Sequence, residues 1–381
     1  MTDWFYPTAY SLWGDEEEAA IQRVLASRRF TMHDECAQFE LAFAAYNDMR
    51  HAIMVNSGSS ANLLATAALF HLSNNPLRPG DKAIVPAIAW STTYAPLVQY
   101  GLDLVVADVD ATWNASVDQR PAYYGRARLV IGCSILGNPA YLSRWVGVAR
   151  ALEAYFIEDN CESLGAQTGV LGDLKRTGTY GLMNTFSFFH SHQLSAIEGG
   201  MILTDDDECA ALCRLLRNHG NAGFASPTDD FADSYDFRLM AYNVRPLEMH
   251  AAIARAQLPK LEEMRRARQQ NLNNFLLLSD GLPIQVQKRN LPGIPSPFGI
   301  AFTVADKETR ARLVTALRSN GIDCRLPTGG SFLRHFYAKR WSNQSTPNAD
   351  WIHDTGLFLG LAPFDILPQI RQAVDVMRAV L

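Results

Sequence analysis

Between Ala52 and about Thr204, short β-branched apolar runs alternate with longer stretches in which apolar residues recur every three or four positions. A short uninterrupted apolar run suits a strand buried on both faces, and the wider spacing suits a helix with one buried stripe. The resulting βαβα rhythm predicts a mostly parallel sheet with helices on both sides. Strands are predicted at Ala52–Val55, Ala83–Pro86, Leu104–Ala107, Leu129–Cys133, Phe156–Glu158, Thr185–Phe188 and Met201–Leu203. Helices are predicted at Ala61–Leu72, Thr93–Tyr100, Leu142–Ala154 and Glu208–Arg217. Together they make a three-layer α/β/α large domain, assigned with its N-terminal segment to residues 1–250.

After Pro246 the helical pattern runs from Leu247 to about Leu278, rich in Arg, Gln and Asn on one face, and predicts one long linking helix. A strand at Gly299–Val304, a helix at Lys307–Ser319, a strand near Ile322–Leu326 and a terminal helix at Leu367–Val380 follow. With the linking helix they form a smaller C-terminal α+β domain, residues 251–381, whose connection is marked by Pro292, Pro295 and Pro297.

The 381 residues are 48% hydrophobic and 19% charged, a balance that excludes a disordered tail. A net charge of −5 with no basic block argues against nucleic acid and anionic membrane surfaces. No apolar run approaches the roughly 20 residues of a membrane span, and no signal-peptide pattern opens the chain. The six cysteines include no C-x-x-C pair, which argues against zinc, iron–sulfur and disulfide frameworks. The expectation is a cytoplasmic protein whose partners are small molecules or other protein chains.

Three words carry candidate chemistry. Asn56-Ser57-Gly58-Ser59-Ser60-Ala61-Asn62 follows a strand and opens a helix, so its glycine and helix N-terminus suit a phosphate, though Ser-Gly-Ser is equally an ordinary N-cap. Ile157-Glu158-Asp159-Asn160-Cys161-Glu162 puts acids at the C-terminal end of a strand, the edge where open α/β sheets bind ligands. A carboxylate there suits a protonated pyridine nitrogen, or it is a turn aspartate. Ser187-Phe188-Phe189-His190-Ser191-His192-Gln193 precedes Glu198-Gly199-Gly200, with an H-x-H that lacks a nearby third metal ligand. No G-x-G-x-x-G, Walker A or G-x-S-x-G pattern occurs.

Taken in order, these words, together with Trp90 after the next strand and Tyr242-Asn243-Val244-Arg245-Pro246-Leu247-Glu248, resemble the DegT-type sugar aminotransferases. These are vitamin B6 enzymes of fold type I, the aspartate aminotransferase-like fold. The resemblance runs across nearly the whole chain. It implies that Asp159 pairs with the cofactor's ring nitrogen, that Trp90 stacks on the ring, and that Gly58, Ser59 and Ser187 hold its phosphate. It further implies a homodimer in which Asn243 reaches the phosphate bound by the neighbouring subunit.

Two departures are informative. Five residues after Ser187 the aminotransferases have the lysine that forms the Schiff base, and here His192 stands in its place. Imidazole forms no stable bond of that kind, so the resemblance implies pyridoxamine phosphate (PMP) held non-covalently, with His192 as the proton carrier. Glu162 stands where glutamine is usual. Both departures are shared by the 3-dehydratase branch, and Phe30-Thr31-Met32, Trp90-Ser91-Thr92-Thr93-Tyr94 and Leu136-Gly137-Asn138-Pro139 resemble the members acting on GDP-linked sugar.

That branch removes the C3 hydroxyl of a nucleotide-linked 4-keto-6-deoxy sugar as a carbon–oxygen lyase. Ammonia is released, and glutamate converts pyridoxal phosphate (PLP) back to PMP. A sister branch on CDP-sugars uses an iron–sulfur cluster, which these scattered cysteines do not suggest. His33, Gly360-Leu361 and the stretch Cys324–Gly330 differ from the branch pattern and bear on the nucleotide and sugar. The alternatives are a same-branch enzyme on another keto sugar and a non-catalytic ligand-binding protein of this fold.

Overall fold

The computed structural model describes residues 4–117, 124–223 and 232–381. The N-terminal segment forms helices α1 (Asp15–Ser27) and α2 (Asp34–Asn47), neither of which the sequence pattern singled out. The main sheet then contains β1 (His51–Val55), β2 (Lys82–Pro86), β3 (Asp103–Ala107), β4 (Ala127–Cys133) and β5 (Tyr155–Asp159). A small hairpin, β6 (Gln167–Val170) and β7 (Asp173–Arg176), interrupts it before β8 (Met183–Ser187) and β9 (Gly200–Thr204). The seven strands run in the order β1-β9-β8-β5-β4-β2-β3, and β9 alone is antiparallel to its neighbours. Every expected strand of this sheet is present.

Helices α3 (Gly58–Leu69), α4 (Ser91–Gln99), α5 (Leu142–Ala151) and α6 (Asp207–Arg217) cover it. Alternation sorts the side chains, because successive strand residues point to opposite faces. Ala83, Val85, Leu129, Ile131 and Ile157 pack with α3, α4 and α6 on one face. Ile84, Val130 and Phe156 pack with Leu142, Trp145 and Ala149 of α5 on the other. The three layers follow directly.

The helix expected over Leu247–Leu278 is instead two, α7 (Glu248–Gln257) and α8 (Leu261–Leu278), separated by a 3-10 turn at Leu258–Lys260. Pro259 explains the break, since it lacks an N–H and its ring clashes with the preceding turn of an α-helix. The remaining elements are β10 (Gln285–Val286), β11 (Gly299–Thr303), α9 (Lys307–Ser319), α10 (Pro347–Thr355), β12 (Gly356–Gly360) and α11 (Leu367–Val380). The small sheet is antiparallel, in the order β10-β11-β12. The segment 322–326, expected as a strand, joins no sheet and makes isolated bridges, Ile322 to Tyr6 and Arg325 to Phe358. Tyr6 is fully buried in this second core and its hydroxyl donates to Gly360 O at 2.8 Å.

Candidate active site

Strand register brings the site together. Ile157 of β5 packs toward α3, so Asp159, two residues on, faces α3 as well, while Glu158 faces the opposite side. There Glu158 accepts from Gly178 N at 2.6 Å and Tyr180 N at 3.1 Å, and burial pushes its pKa up to about 8. On β8 the same rule puts Met183, Thr185 and Ser187 on the α3 face.

Asp159 is 4% exposed and its carboxylate accepts from Asn62 Nδ2 at 2.9 Å, Thr93 Oγ1 at 2.7 Å and Cys161 N at 3.2 Å. Thr185 Oγ1 in turn donates to Asn62 Oδ1 at 2.6 Å, fixing the amide's orientation. Among the described residues no basic side chain pairs with Asp159. A buried carboxylate without a counter-charge is the fitting partner of a cationic ring nitrogen.

Ser57 caps α3 by accepting from Ser60 N at 3.1 Å. The helix-start amides before it have no intrahelical acceptor and suit an anion. Gly58 is required there: a Cβ would lie 2.5 Å from Ser187 Cβ and 3.0 Å from Cys161 Sγ. Ser59 Oγ lies 2.8 Å from Thr92 Oγ1. A phosphate cradle between the α3 terminus and Ser187 fits this close approach.

Gly58, Ser59, Trp90, Asp159, Glu162, Ser187 and His192 line one cavity of about 350 Å³. Trp90 is 59% exposed at its edge. Asn243 is not in its lining; it is exposed and bridges to Asn218. Thr8 and Phe298, from segments far apart in the chain, also line it and were not singled out from the sequence, whereas Arg325 and Thr328 belong to the stretch Cys324–Gly330 already set apart as bearing on the nucleotide and sugar. Asn62 and Thr93 stood within quoted words, and Asn62 sits one helical turn after Gly58, where it could have been assigned to the same face.

His192 lies on the turn after β8, its N–H donating to Phe189 O at 2.9 Å. Its Nδ1 is 2.5 Å from Cys161 O, so Nδ1 carries the proton and Nε2 keeps a lone pair. Burial pushes its pKa down to about 4, with the Cys161 carbonyl opposing, Arg268 adding and Asp159 opposing. The imidazole is therefore neutral at neutral pH and able to accept a proton. No lysine lines the cavity among the described residues. Glu162 accepts through Oε2 from Leu136 N at 2.8 Å and Thr328 Oγ1 at 3.1 Å, and burial pushes its pKa up to about 7.

The model of the DegT/DnrJ/EryC1/StrS aminotransferase family matches residues 12–375. The chain belongs to that family. It is 37% identical to the GDP-4-keto-6-deoxy-D-mannose 3-dehydratase of Yersinia pseudotuberculosis, over 98% of this chain and 98% of that protein. The E. coli GDP-4-keto-6-deoxy-D-mannose-3-dehydratase with bound hydrated PLP superposes with a TM-score of 0.91 at 36% identity, covering 98% of this chain and 99% of that one. A GDP-4-keto-6-deoxymannose-3-dehydratase with a trapped PLP-glutamate geminal diamine gives 0.91 at 36%, with 98% and 100% covered. The architecture is thus fold type I, aspartate aminotransferase-like. Within this family Glu248 of the Asn-x-Arg-x-x-Glu word has a structural task here: its carboxylate accepts from His33 N at 2.7 Å, Glu35 N at 2.7 Å and Cys36 N at 3.0 Å, closing the start of α2.

Proposed function

We propose that this family member is a PMP-dependent sugar 3-dehydratase acting on a nucleotide-linked 4-keto-6-deoxy sugar of the GDP-4-keto-6-deoxymannose type. Glutamate regenerates PMP and ammonia is released. The observation that carries the reading is His192, half-buried, tautomerically fixed and neutral, in a cavity without lysine among its described lining residues. Bound there, the cofactor supplies an amine for the sugar's C4 carbonyl and a ring that takes up electrons from the neighbouring carbon. Asp159 holds the proton on the ring nitrogen; Gly58, Ser59 and Ser187 hold the phosphate; Trp90 covers the ring; Glu162 adds a polar contact beside it. His192 Nε2, left with a free lone pair by the Nδ1 bond to Cys161 O, would be the group that accepts and returns a proton beside the bound cofactor.

Asn243, outside its own chain's cavity, completes the neighbouring subunit's phosphate site, so the working unit is a homodimer. The division into residues 1–250 and 251–381 belongs to the same proposal, supported by the seven-stranded sheet in the first part and the three-stranded sheet in the second. Among the described residues no helix is long and apolar enough to cross a membrane. A nucleotide-linked substrate and free glutamate assign the reaction to the cytoplasm.

The test is a panel of nucleotide-linked 4-keto sugars given to PMP-loaded protein with glutamate. The expected result is a 3-deoxy-4-keto product, one ammonia per turnover and a cofactor spectrum cycling between PMP and PLP. Amine transfer to C4, or no C3–O cleavage with any sugar, refutes it. Cleavage of a sugar other than the GDP-linked mannose derivative redirects only the substrate assignment, since Arg325, Leu326, Thr328 and Gly329 of the departing stretch line the cavity.

A further inference from the structure

The turn that carries His192 is tied to an arginine for which packing alone gives no reason. Arg268 projects from α8 and is 2% exposed. Its Nη2 donates to His192 O at 3.2 Å, its Nε is buried without a partner, and among the described residues no carboxylate pairs with it. A guanidinium taken out of water without a counter-ion costs several kcal/mol, and a well-packed apolar side chain in its place is often neutral or stabilising. Placing the charge here calls for a task at the residue it touches.

We propose that Arg268 is the positioning residue of His192: its Nη2 fixes the main chain of the turn that presents the imidazole to the cavity, and its unpaired charge opposes protonation of that ring. The same helix carries Asn271, which donates to Ala362 O at 3.1 Å and Phe364 O at 2.7 Å, and Phe275, buried in the second core. The turn is thus braced against the C-terminal unit as well as the sheet. Gln193, next in the chain, braces it further by donating to Glu162 O at 2.5 Å and Ser296 O at 3.0 Å.

The other groups that act on the imidazole are known. Cys161 O accepts its Nδ1 proton, Asp159 attracts positive charge, and His190 opposes it. Glu162 and Glu198 line the same cavity. Burial is the largest influence and Arg268 acts in its direction. The guanidinium itself is pushed down by burial only to about 10, so it stays charged at neutral pH.

This inference rests on the reading of His192 as the base, and its test separates the two. The His192 imidazole is titrated by NMR in cofactor-free wild type and in Arg268→Met, Arg268→Gln and Arg268→Lys, with His192→Asn to assign the signal. Both neutral variants are expected to raise the midpoint by about one pH unit, a tenfold change in proton affinity, whereas Lys leaves it near the wild-type value. In the loaded enzyme the acid limb of kcat/KM moves up in parallel for Met and Gln and stays for Lys. An unmoved midpoint in a folded neutral variant overturns the proposal. Failure of both neutral variants to fold also overturns it, because the charge would then serve the fold. A shifted midpoint without sugar turnover sinks only the functional reading.

Discussion

Replacing Glu162 with Gln should stabilise the protein, and increasingly so as pH rises. The carboxyl's pKa is pushed by burial from an ordinary 4.5 up to about 7, against the pull of its bonds from Leu136 N and Thr328 Oγ1. A carboxyl whose folded pKa is raised contributes stability that is fully present below about 4.5 and lost as pH climbs through 7. The displacement corresponds to on the order of 3 kcal/mol, an upper figure for the loss between those limits. Gln removes the titration and keeps an oxygen for both donors. The difference in stability, variant minus wild type, should therefore grow by about 1–3 kcal/mol between pH 5 and 8, or a few degrees in Tm. The assay is thermal unfolding of both cofactor-free proteins across that range. Glu158 titrates up to about 8 in each and cancels in the difference. A difference that stays flat with pH, or shrinks, refutes the reasoning. The two donors are also informative, for Leu136 (φ 54°) and Thr328 (φ 44°) both hold left-handed backbone conformations, a state strained most at the β-branched Thr328.

Three further outcomes follow from the site. His192→Asn should lower the single-turnover rate by about 10²–10⁴-fold, roughly 3–5 kcal/mol in the barrier, with Tm little changed because the amide can still donate to Cys161 O; stopped-flow spectra of the cofactor band measure it. Gly58→Ala should destabilise by about 1–3 kcal/mol and release cofactor on dialysis, since its Cβ would meet Ser187; unchanged retention would show that the phosphate lies elsewhere. Mixing Asn243→Ala with His192→Asn subunits should restore part of the activity lost in each, through one intact site per hybrid dimer. No recovery under demonstrated subunit exchange argues against a shared site.

Legibility in the sequence follows the range of the interactions involved. The sheet strands were readable because both faces are buried, and uninterrupted apolar runs such as Leu104–Ala107 have no other stable home. The break at Leu258–Lys260 was missed, because the apolar spacing continues through Pro259 and conceals its signal. The strand Gly356–Gly360 was not readable, being short and bounded by glycine at each end, and its pairing with β11 is a long-range event. Within the site, Gly58, Asp159 and Ser187 sit at a helix start or strand ends and His192 in the turn that follows β8, where local words declare them. Thr8 and Phe298 reach the same cavity through tertiary folding and no local pattern marks them, whereas Arg325 and Thr328 were marked only through the resemblance, by the departing stretch Cys324–Gly330.

The division between fixed and exchangeable parts of the site explains how one frame serves two chemistries. Asp159 and Ser187 are placed by strand register, and shifting either by one residue would turn it to the opposite face of the sheet. His192 is not held by register. Its turn is set by the Cys161 carbonyl, the Arg268 guanidinium and the bonds of Gln193, all of which act on main-chain atoms or on one ring nitrogen. A side chain at that position can therefore change from an amine that bonds the cofactor to an imidazole that only moves protons, while the sheet and the anion cradle stay as they are. The residues proposed to hold the cofactor and the residue proposed to select the reaction answer to different physical constraints. Elimination and amine transfer can accordingly diverge on this fold by substitution in the turn after β8, without any rebuilding of the core.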